Sequence, residues 1–483
     1  MRCSAGRRQM TADPAEPVRT GSGPLHQQIA DTGSIARFGD EIETGNPSGW
    51  PGYTGQLGRA RKAAGSRHAV TTGLATVGGE PCVIAGFDFS FLGGSMGAAE
   101  GGRIARAFSV AVAQRLPIVC VAASGGSRMQ EGTSALVQMQ AVAVAIAGAR
   151  QAGIPYIAVT GDPTTGGVWA SLIAGADVLI GVPGARVSFS GSRTRPPGAD
   201  PAAGEYLADG QWARGFIDVL APVAGLRAEV AAAARLLSPR SRGAALAPAP
   251  VPEWPAGAGG GSRDPQPDAW AHVRGARGPH RARAGQWLAG YFGPTLEIRG
   301  DRCGGVDTGL RCGFGSHHGA TIAYIAQTGE RTTPAGFRTA TRLLALAGRL
   351  RLPVLTLIDT PGAAAAPADE AAGAGPAMAE LFTAVALSQV PITSVVIGEG
   401  VSGGALALAS PHDLWIAEDG YLAVTAPELA GSILKRPPGD IAQVAAQLRL
   451  TPAELLSRGI VRGIIGPPAV PHRRHPGQAA DRR

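Results

Sequence analysis

Four short turns in this chain carry residue types suited to catalysis by backbone groups. They are Ser124-Gly125-Gly126, Thr165-Gly166-Gly167, Thr360-Pro361-Gly362-Ala363 and Ser402-Gly403-Gly404. Glycine lacks a Cβ, so a ligand can approach its N–H closely. Two backbone N–H groups that converge on one point form an oxyanion hole. Such a hole stabilises an enolate or a ureido-type oxyanion without an acidic side chain. One such pair alone reads better as a tight strand-to-helix turn. Four matched turns favour the functional reading.

The flanking segments must position these turns. Pro117 to Gly126 (PIVCVAASGG) is a short β-branched run that stops on two glycines, which suits a buried strand. Before it, Ala69 to Val77 and Pro81 to Phe91 read as paired strands around Gly78-Gly79. Ala98 to Leu116 reads as a helix, with Ile104, Phe108, Val112 and Leu116 at helical spacing. A second helix is expected over about Thr133 to Ala152 and a strand over Ile154 to Thr160. Asn46 to Gly55 reads as loop. In the second half, strands are expected at Thr321 to Gln327, Val354 to Ile358 and Ile392 to Ile397. Helices are expected at Gly336 to Leu350 and Ala377 to Ser388. Strands alternating with helices indicate an α/β fold.

The pattern is written twice. Pro117 and Pro155 are 38 positions apart, as are Pro353 and Pro391. Gly125 and Gly166 are 41 apart, as are Gly362 and Gly403. The offset between halves is 236 or 237, which indicates a duplicated domain.

At 483 residues the chain can bury two or three cores. Charged residues make up only 17%, which suggests much buried surface or an oligomer interface. The net charge of +8 comes almost wholly from arginine. It suits a phosphorylated or acidic partner, and it equally suits an arginine-rich codon bias. The charge is spread out, which weighs against nucleic acid. Five cysteines without a C-x-x-C pair give no zinc ribbon. No apolar run is long enough for a membrane span and no secretory leader is seen, so a cytoplasmic location is expected. His472 and His475 lie in a basic tail, where metal binding is the weaker reading.

Longer motifs surround these turns. Phe91 to Gly97 (FLGGSMG), Ala123 to Gly132 (ASGGSRMQEG) and the TTGGV turn resemble the β subunit of bacterial acetyl-CoA carboxylase carboxyltransferase. Leu357 to Ala363 (LIDTPGA), Val396 to Ala407 (VIGEGVSGGALA) and Ala426 to Arg436 (APELAGSILKR) resemble its α subunit. The resemblance covers about residues 25 to 225 and 270 to 466 and implies both subunits fused in one chain. It implies two tandem crotonase-type (ββα superhelix) domains. It also implies carboxyl transfer from carboxybiotin, borne on a biotin carboxyl carrier protein, to acetyl-CoA, giving malonyl-CoA for fatty acid synthesis. Gly125, Gly126, Gly166 and Gly167 would form the hole of the N-half. Gly362, Ala363, Gly403 and Gly404 would form that of the C-half. Arg103 and Arg128 would meet CoA phosphates, although a structural role is the commoner fate of either arginine. A homodimer working with a biotin carboxylase complex is implied, the N-half of one chain facing the C-half of the other. Carboxylation of another acyl-CoA, a malonyl-type decarboxylase and an inactive scaffold stay open as alternatives.

The chain departs from the family in three places. The four-cysteine finger that usually precedes the β subunit is missing, so no zinc is expected. The segment after Gly362 reads AAAAP. The lysine-containing segment before the helix expected at Gly336 to Leu350 is reduced to TGERTTP, Thr328 to Pro334. The expected boundaries are an N-terminal segment 1–66, an N-half 67–237, a Pro/Ala/Gly linker 238–268, a C-half 269–466 and a disordered basic tail 467–483.

Overall fold

The β-branched run before Gly125 forms the middle of a sheet whose strands are buried on both faces. A computed structural model describes residues 23–191, 195, 200, 203–242, 246–257 and 268–468. Cys3, His472 and His475 lie outside them. In the N-half the main elements are β1 (Val70–Val77), β2 (Glu80–Phe87), α1 (Ala98–Gln114), β3 (Ile118–Ser124), α2 (Gln138–Gln151), β4 (Tyr156–Thr165), β5 (Val178–Gly181) and α3 (Leu226–Leu237). In the C-half they are β6 (Leu310–His317), β7 (Ala320–Gln327), α4 (Pro334–Leu350), β8 (Val354–Thr360), α5 (Ala374–Ala386), β9 (Ile392–Val401) and β10 (Leu414–Ala417). Among the described residues each half builds one eight-stranded sheet. β1 and β2 form an antiparallel hairpin, and β2, β3, β4 and β5 then run parallel. β6 to β10 repeat the arrangement.

Local chemistry fixes the repeat. α1 and α4 end at Arg115 and Arg351, each left-handed (φ 52° and 56°), and a proline follows two residues later. The register of β3 against β4 slips between Ala122 and Ser124, and that of β8 against β9 slips between Ile358 and Thr360. Both irregularities fall just before a first turn, where a bulge re-aims the chain. From α1 to β5 the offset between equivalent elements is 236 positions. The hairpins are offset by 240, because the link from β7 to α4 is four residues shorter than the link from β2 to α1. The sequence-based offset of 236 holds from α1 to β5 and does not extend to the hairpins.

The halves share one core. Leu226, Val230 and Leu237 of α3 belong to the same buried cluster as Leu296, Ile298 and Leu310 of the C-half. One face of α4 adds three ion pairs: Arg338 with Asp301 (2.8 Å), Arg342 with Asp218 (3.0 Å) and Arg349 with Asp177 (2.6 Å). Asp218 and Asp177 come from the N-half.

Other expectations need correction. Residues 246–257 of the proposed linker are folded onto the C-half. Ala249 and Trp254 are buried, Tyr291 Oη donates to Pro250 O (2.8 Å), and Trp254 packs edge-on against Trp287. The expected loop at Asn46 to Gly55 ends at Gly52, where the helix Tyr53–Ala64 begins. Ahead of the strand expected at Thr321, the C-half also holds helices Ala269–Arg277 and Ala284–Tyr291 and two strands.

His26 is wholly buried in the short helix Leu25–Ile29, over Gly86, where any Cβ would collide with its ring. Burial pulls its pKa down to about 4, against a partial opposing pull from Asp88. The folded state therefore resists protonation more than the unfolded chain. Stability from this group is complete above pH 6.5 and is lost as pH falls to about 4, a loss of about 3 kcal/mol. Denaturation curves of wild type and His26→Leu should converge in pH dependence above 6.5 and diverge below it. Parallel curves would remove His26 as the cause.

Candidate active site

In each half the first turn and the second turn touch through backbone. Gly126 adopts φ 108°, and a Cβ there would sit 3.3 Å from Thr165 O, 3.4 Å from Gly166 Cα and 3.6 Å from Gly167 N. In the C-half Gly362 adopts φ 121°. A Cβ on Gly404 would strike the Ala363 nitrogen and lie 2.8 Å from the Gly362 carbonyl carbon. Only glycine permits either approach.

The positive-φ residues fix which positions correspond. Gly126 matches Gly362, and Gly166 (φ 64°) matches Ser402 (φ 60°), both at an offset of 236. Gly167 then matches Gly403, and Ser127 matches Ala363. The turns are braced alike: Gly126 N donates to Ser124 Oγ (3.0 Å) and Gly362 N to Thr360 Oγ1 (3.1 Å). Met96 bridges Ser127 in parallel, as Thr332 bridges Ala363.

The donors open to a ligand follow from what is already bonded. Gly125 N donates to Gly93 O (2.9 Å) and Gly166 N to Phe189 O (3.1 Å), so these two N–H groups are committed to the fold. Among the described residues the N–H groups of Ser127 and Ala363 carry no backbone or side-chain acceptor. Gly167, Gly403 and Gly404 stand in the first turn of short helices, Gly166–Val168 and Ser402–Leu406, where N–H groups have no intrahelical acceptor. The geometry thus pairs Ser127 with Gly167, and Ala363 with Gly403 and Gly404. Ser127 was missed in the sequence. Its signal was the bare 236 offset from Ala363.

Arg103 and Arg128 do not face a ligand. Arg103 is 1% exposed; its Nε donates to Val70 O (2.9 Å), its Nη1 to Gly39 O and its Nη2 to Asp40 (2.9 Å). Arg128, also 1% exposed, pairs with Glu100 (3.0 Å) and Glu131 (3.2 Å) and holds Ser95 Oγ and O. Tyr53 Oη closes the network on Glu131 (2.7 Å). Glu131 also accepts from Ala98 N at the start of α1 (2.6 Å). Both guanidinium groups are bonded inside the protein, and Arg128 ties the chain just after Ser127 to Ser95. The C-half does this differently. Arg281 grips Asp359 with two bonds (2.6 and 2.8 Å), and Asp359 also takes Glu399 N (3.1 Å). Burial pushes the Asp359 carboxyl up, and Arg281 opposes it.

Two family signatures match the chain. The carboxyl transferase domain covers residues 54–194, and the acetyl co-enzyme A carboxylase carboxyltransferase-like family covers 266–482. The acetyl-coenzyme A carboxylase carboxyl transferase subunits beta/alpha of Saccharopolyspora erythraea are 36% identical over 484 residues, 95% of this chain and 82% of theirs. The chain belongs to this carboxyltransferase family, with the β- and α-type halves fused. The family transfers a carboxyl group from biotin, carried on a partner protein, to an acyl-CoA. A probable biotin-dependent acyl-coenzyme A carboxylase beta3 subunit of Mycobacterium tuberculosis is 32% identical, over 91% of this chain and 88% of its own. A transcarboxylase 12S structure with hydrolysed methylmalonyl-coenzyme A bound matches with TM-score 0.74 at 20% identity, over 92% of this chain and 86% of that one. The expected crotonase-type fold, in tandem, is the observed one. Among the described residues no group of three or more His, Cys, Asp or Glu could hold a metal ion, and no helix is long and apolar enough to cross a membrane.

Proposed function

We propose that this carboxyltransferase takes acetyl-CoA as its acceptor and forms malonyl-CoA in the cytoplasm, with a biotin carboxyl carrier protein and a biotin carboxylase complex as partners. The observation that supports it is the two pairs of glycine-containing turns, each pair with backbone donors left open, on a chain 36% identical to acetyl-CoA carboxylase subunits. Carboxybiotin supplies a transferable carboxyl group and, once that has left, a ring nitrogen able to take a proton from the acetyl methyl. The residues present fit both carbonyls. Ala363, Gly403 and Gly404 would hold one oxyanion, and Ser127 with Gly167 the other. Because the donors are fixed backbone groups, they need not reorganise as charge develops.

The test is the reverse reaction. Malonyl-CoA and biocytin should yield acetyl-CoA, and methylmalonyl-CoA should react at least about tenfold more slowly in kcat/KM. A preference for methylmalonyl-CoA would make the chain a propionyl-type enzyme. Failure to turn over either, with CoA binding intact, would make it a scaffold.

The reading includes a homodimer. α2 and α5 are equivalent helices, and both turn apolar side chains outward. Val144 is 73% exposed on α2; Leu387, one residue past α5, is 68% exposed and Phe382 on it 41%. Apolar surface of this kind marks contact with another protein. A two-fold axis would lay α2 of one protomer on α5 of its partner. Val144→Arg should weaken the dimer at least about tenfold in sedimentation equilibrium. An unchanged association constant would remove this face as the interface.

A further inference from the structure

Arg331, in the segment Thr328 to Pro334, is a cation facing the C-half turn. Arg331 is exposed, and its Nη1 donates to Ala363 O (3.2 Å). A Cβ on Gly362 would lie 3.5 Å from that same nitrogen. Among the described residues Arg331 has no acidic side chain within 4 Å as an ion-pair partner. It lines a cavity of about 760 Å³ together with Val306, Thr333, Pro361 and Ala364. Three acids line it too. Asp307 accepts from Gly309 N, Thr333 N and Thr333 Oγ1 (2.6, 2.7 and 2.9 Å), and Asp369 accepts from Ala366 N (3.0 Å). Glu330 is exposed to solvent. Two of the three carboxylates are therefore already bonded, while the guanidinium keeps most of its donors. The equivalent position in the N-half, at the 236 offset, is Ser95, which is neutral.

We propose that Arg331 is a specificity-determining residue of the C-half site and binds the carboxylate that is transferred. The substrate class is a carboxylate two bonds from a carbonyl whose oxygen the hole receives. Ala363 links the two functions. Its N–H is open to the carbonyl oxygen, and its own carbonyl holds the arginine that would meet the carboxylate. A guanidinium takes a carboxylate through two parallel bonds, which fixes orientation as well as charge. The inference rests on the carboxyltransferase reading.

Two sources share this chemistry, malonyl-CoA and carboxylated biotin, and one pair of measurements separates them. Calorimetry gives the ratio of malonyl-CoA to acetyl-CoA affinity for wild type, Arg331→Met and Arg331→Lys, and the reverse reaction with biocytin gives kcat. If the carboxylate is that of malonyl-CoA, Arg331→Met loses about tenfold or more of the ratio while acetyl-CoA binding holds. If it is the one on biotin, the ratio holds and kcat falls by a similar factor. In either case Arg331→Lys recovers part of the loss, which a merely structural role would not give. If ratio and kcat both stay within twofold in Arg331→Met, the assignment is overturned. If the wild type binds neither CoA ester, the carboxyltransferase reading fails first and takes this inference with it.

Discussion

Gly404→Val is expected to lower the reverse rate about a thousandfold or more while the protein stays folded. A single oxyanion donor is worth about 10²–10³ in kcat. The valine would do more than remove one. Its Cβ alone collides with Ala363 N and stands 2.8 Å from the Gly362 carbonyl carbon and 3.2 Å from Ala363 Cα. These are backbone atoms, so the Thr360 to Ala363 turn must move and the donors of both turns lose their common focus. Gly403→Ala is the control in the same helical turn. A Cβ there meets only Met378 Cε, at 3.3 Å, and a flexible thioether end can yield. It should keep the rate within about tenfold. Gly126→Val should also be inactive, but φ 108° adds backbone strain, which makes it the less clean test. A folded Gly404→Val enzyme at near-normal rate would remove the C-half hole.

Arg128→Met is expected to cost about 3–5 kcal/mol of stability, the usual penalty for breaking a buried ion pair from one side. The side chains of Glu100 and Glu131 are 0% and 1% exposed, and Arg128 is the cation both of them meet. Glu100 retains Gly97 N, Ala69 N and Thr44 Oγ1 as donors, and Glu131 retains Ala98 N and Tyr53 Oη. Those bonds cap α1 but bring no charge. Adding Glu131→Gln to Arg128→Met should restore part of the loss, because it removes one stranded carboxylate. Chemical denaturation of wild type and these two variants decides it. A single variant within 1 kcal/mol of wild type would show that water reaches the network. Activity should fall along with stability, since Arg128 follows Ser127 directly and holds Ser95.

The legible parts of the chain were those where one physical signal dominated. Ile118 to Ala122 and Val354 to Ile358 are runs of β-branched and aliphatic residues between a proline and a glycine, and they form the strands expected. Leu310–His317 was illegible because Gly313 and Gly315 break its pattern. Those glycines exist for packing: a Cβ on Gly313 would sit 2.7 Å from Tyr324 Oη, and one on Gly315 would meet the Phe292 ring. Helix Ala269–Arg277 was hidden by its glycine and arginines, yet Asp268 caps it through Ala271 N (2.6 Å). At the site, glycine identity found the turns but not the donors. Which N–H is open depends on partners distant in sequence, such as Gly93 for Gly125 and Phe189 for Gly166. Burial hid the role of Arg103 and Arg128 for the same reason.

The ion pairs of α4 bear on how such a protein can be divided. Arg342 and Arg349 belong to one half, and Asp218 and Asp177 to the other. A half translated by itself would carry two charges shaped for burial with nothing opposite them, beside an apolar α3 surface meant for its sibling. Cutting the gene between the codons for 257 and 268 should therefore give two products that are soluble only when made together. They should then copurify at one-to-one stoichiometry without any covalent link. The peptide connection supplies equal dosage, and recognition between the halves is written into α3 and α4.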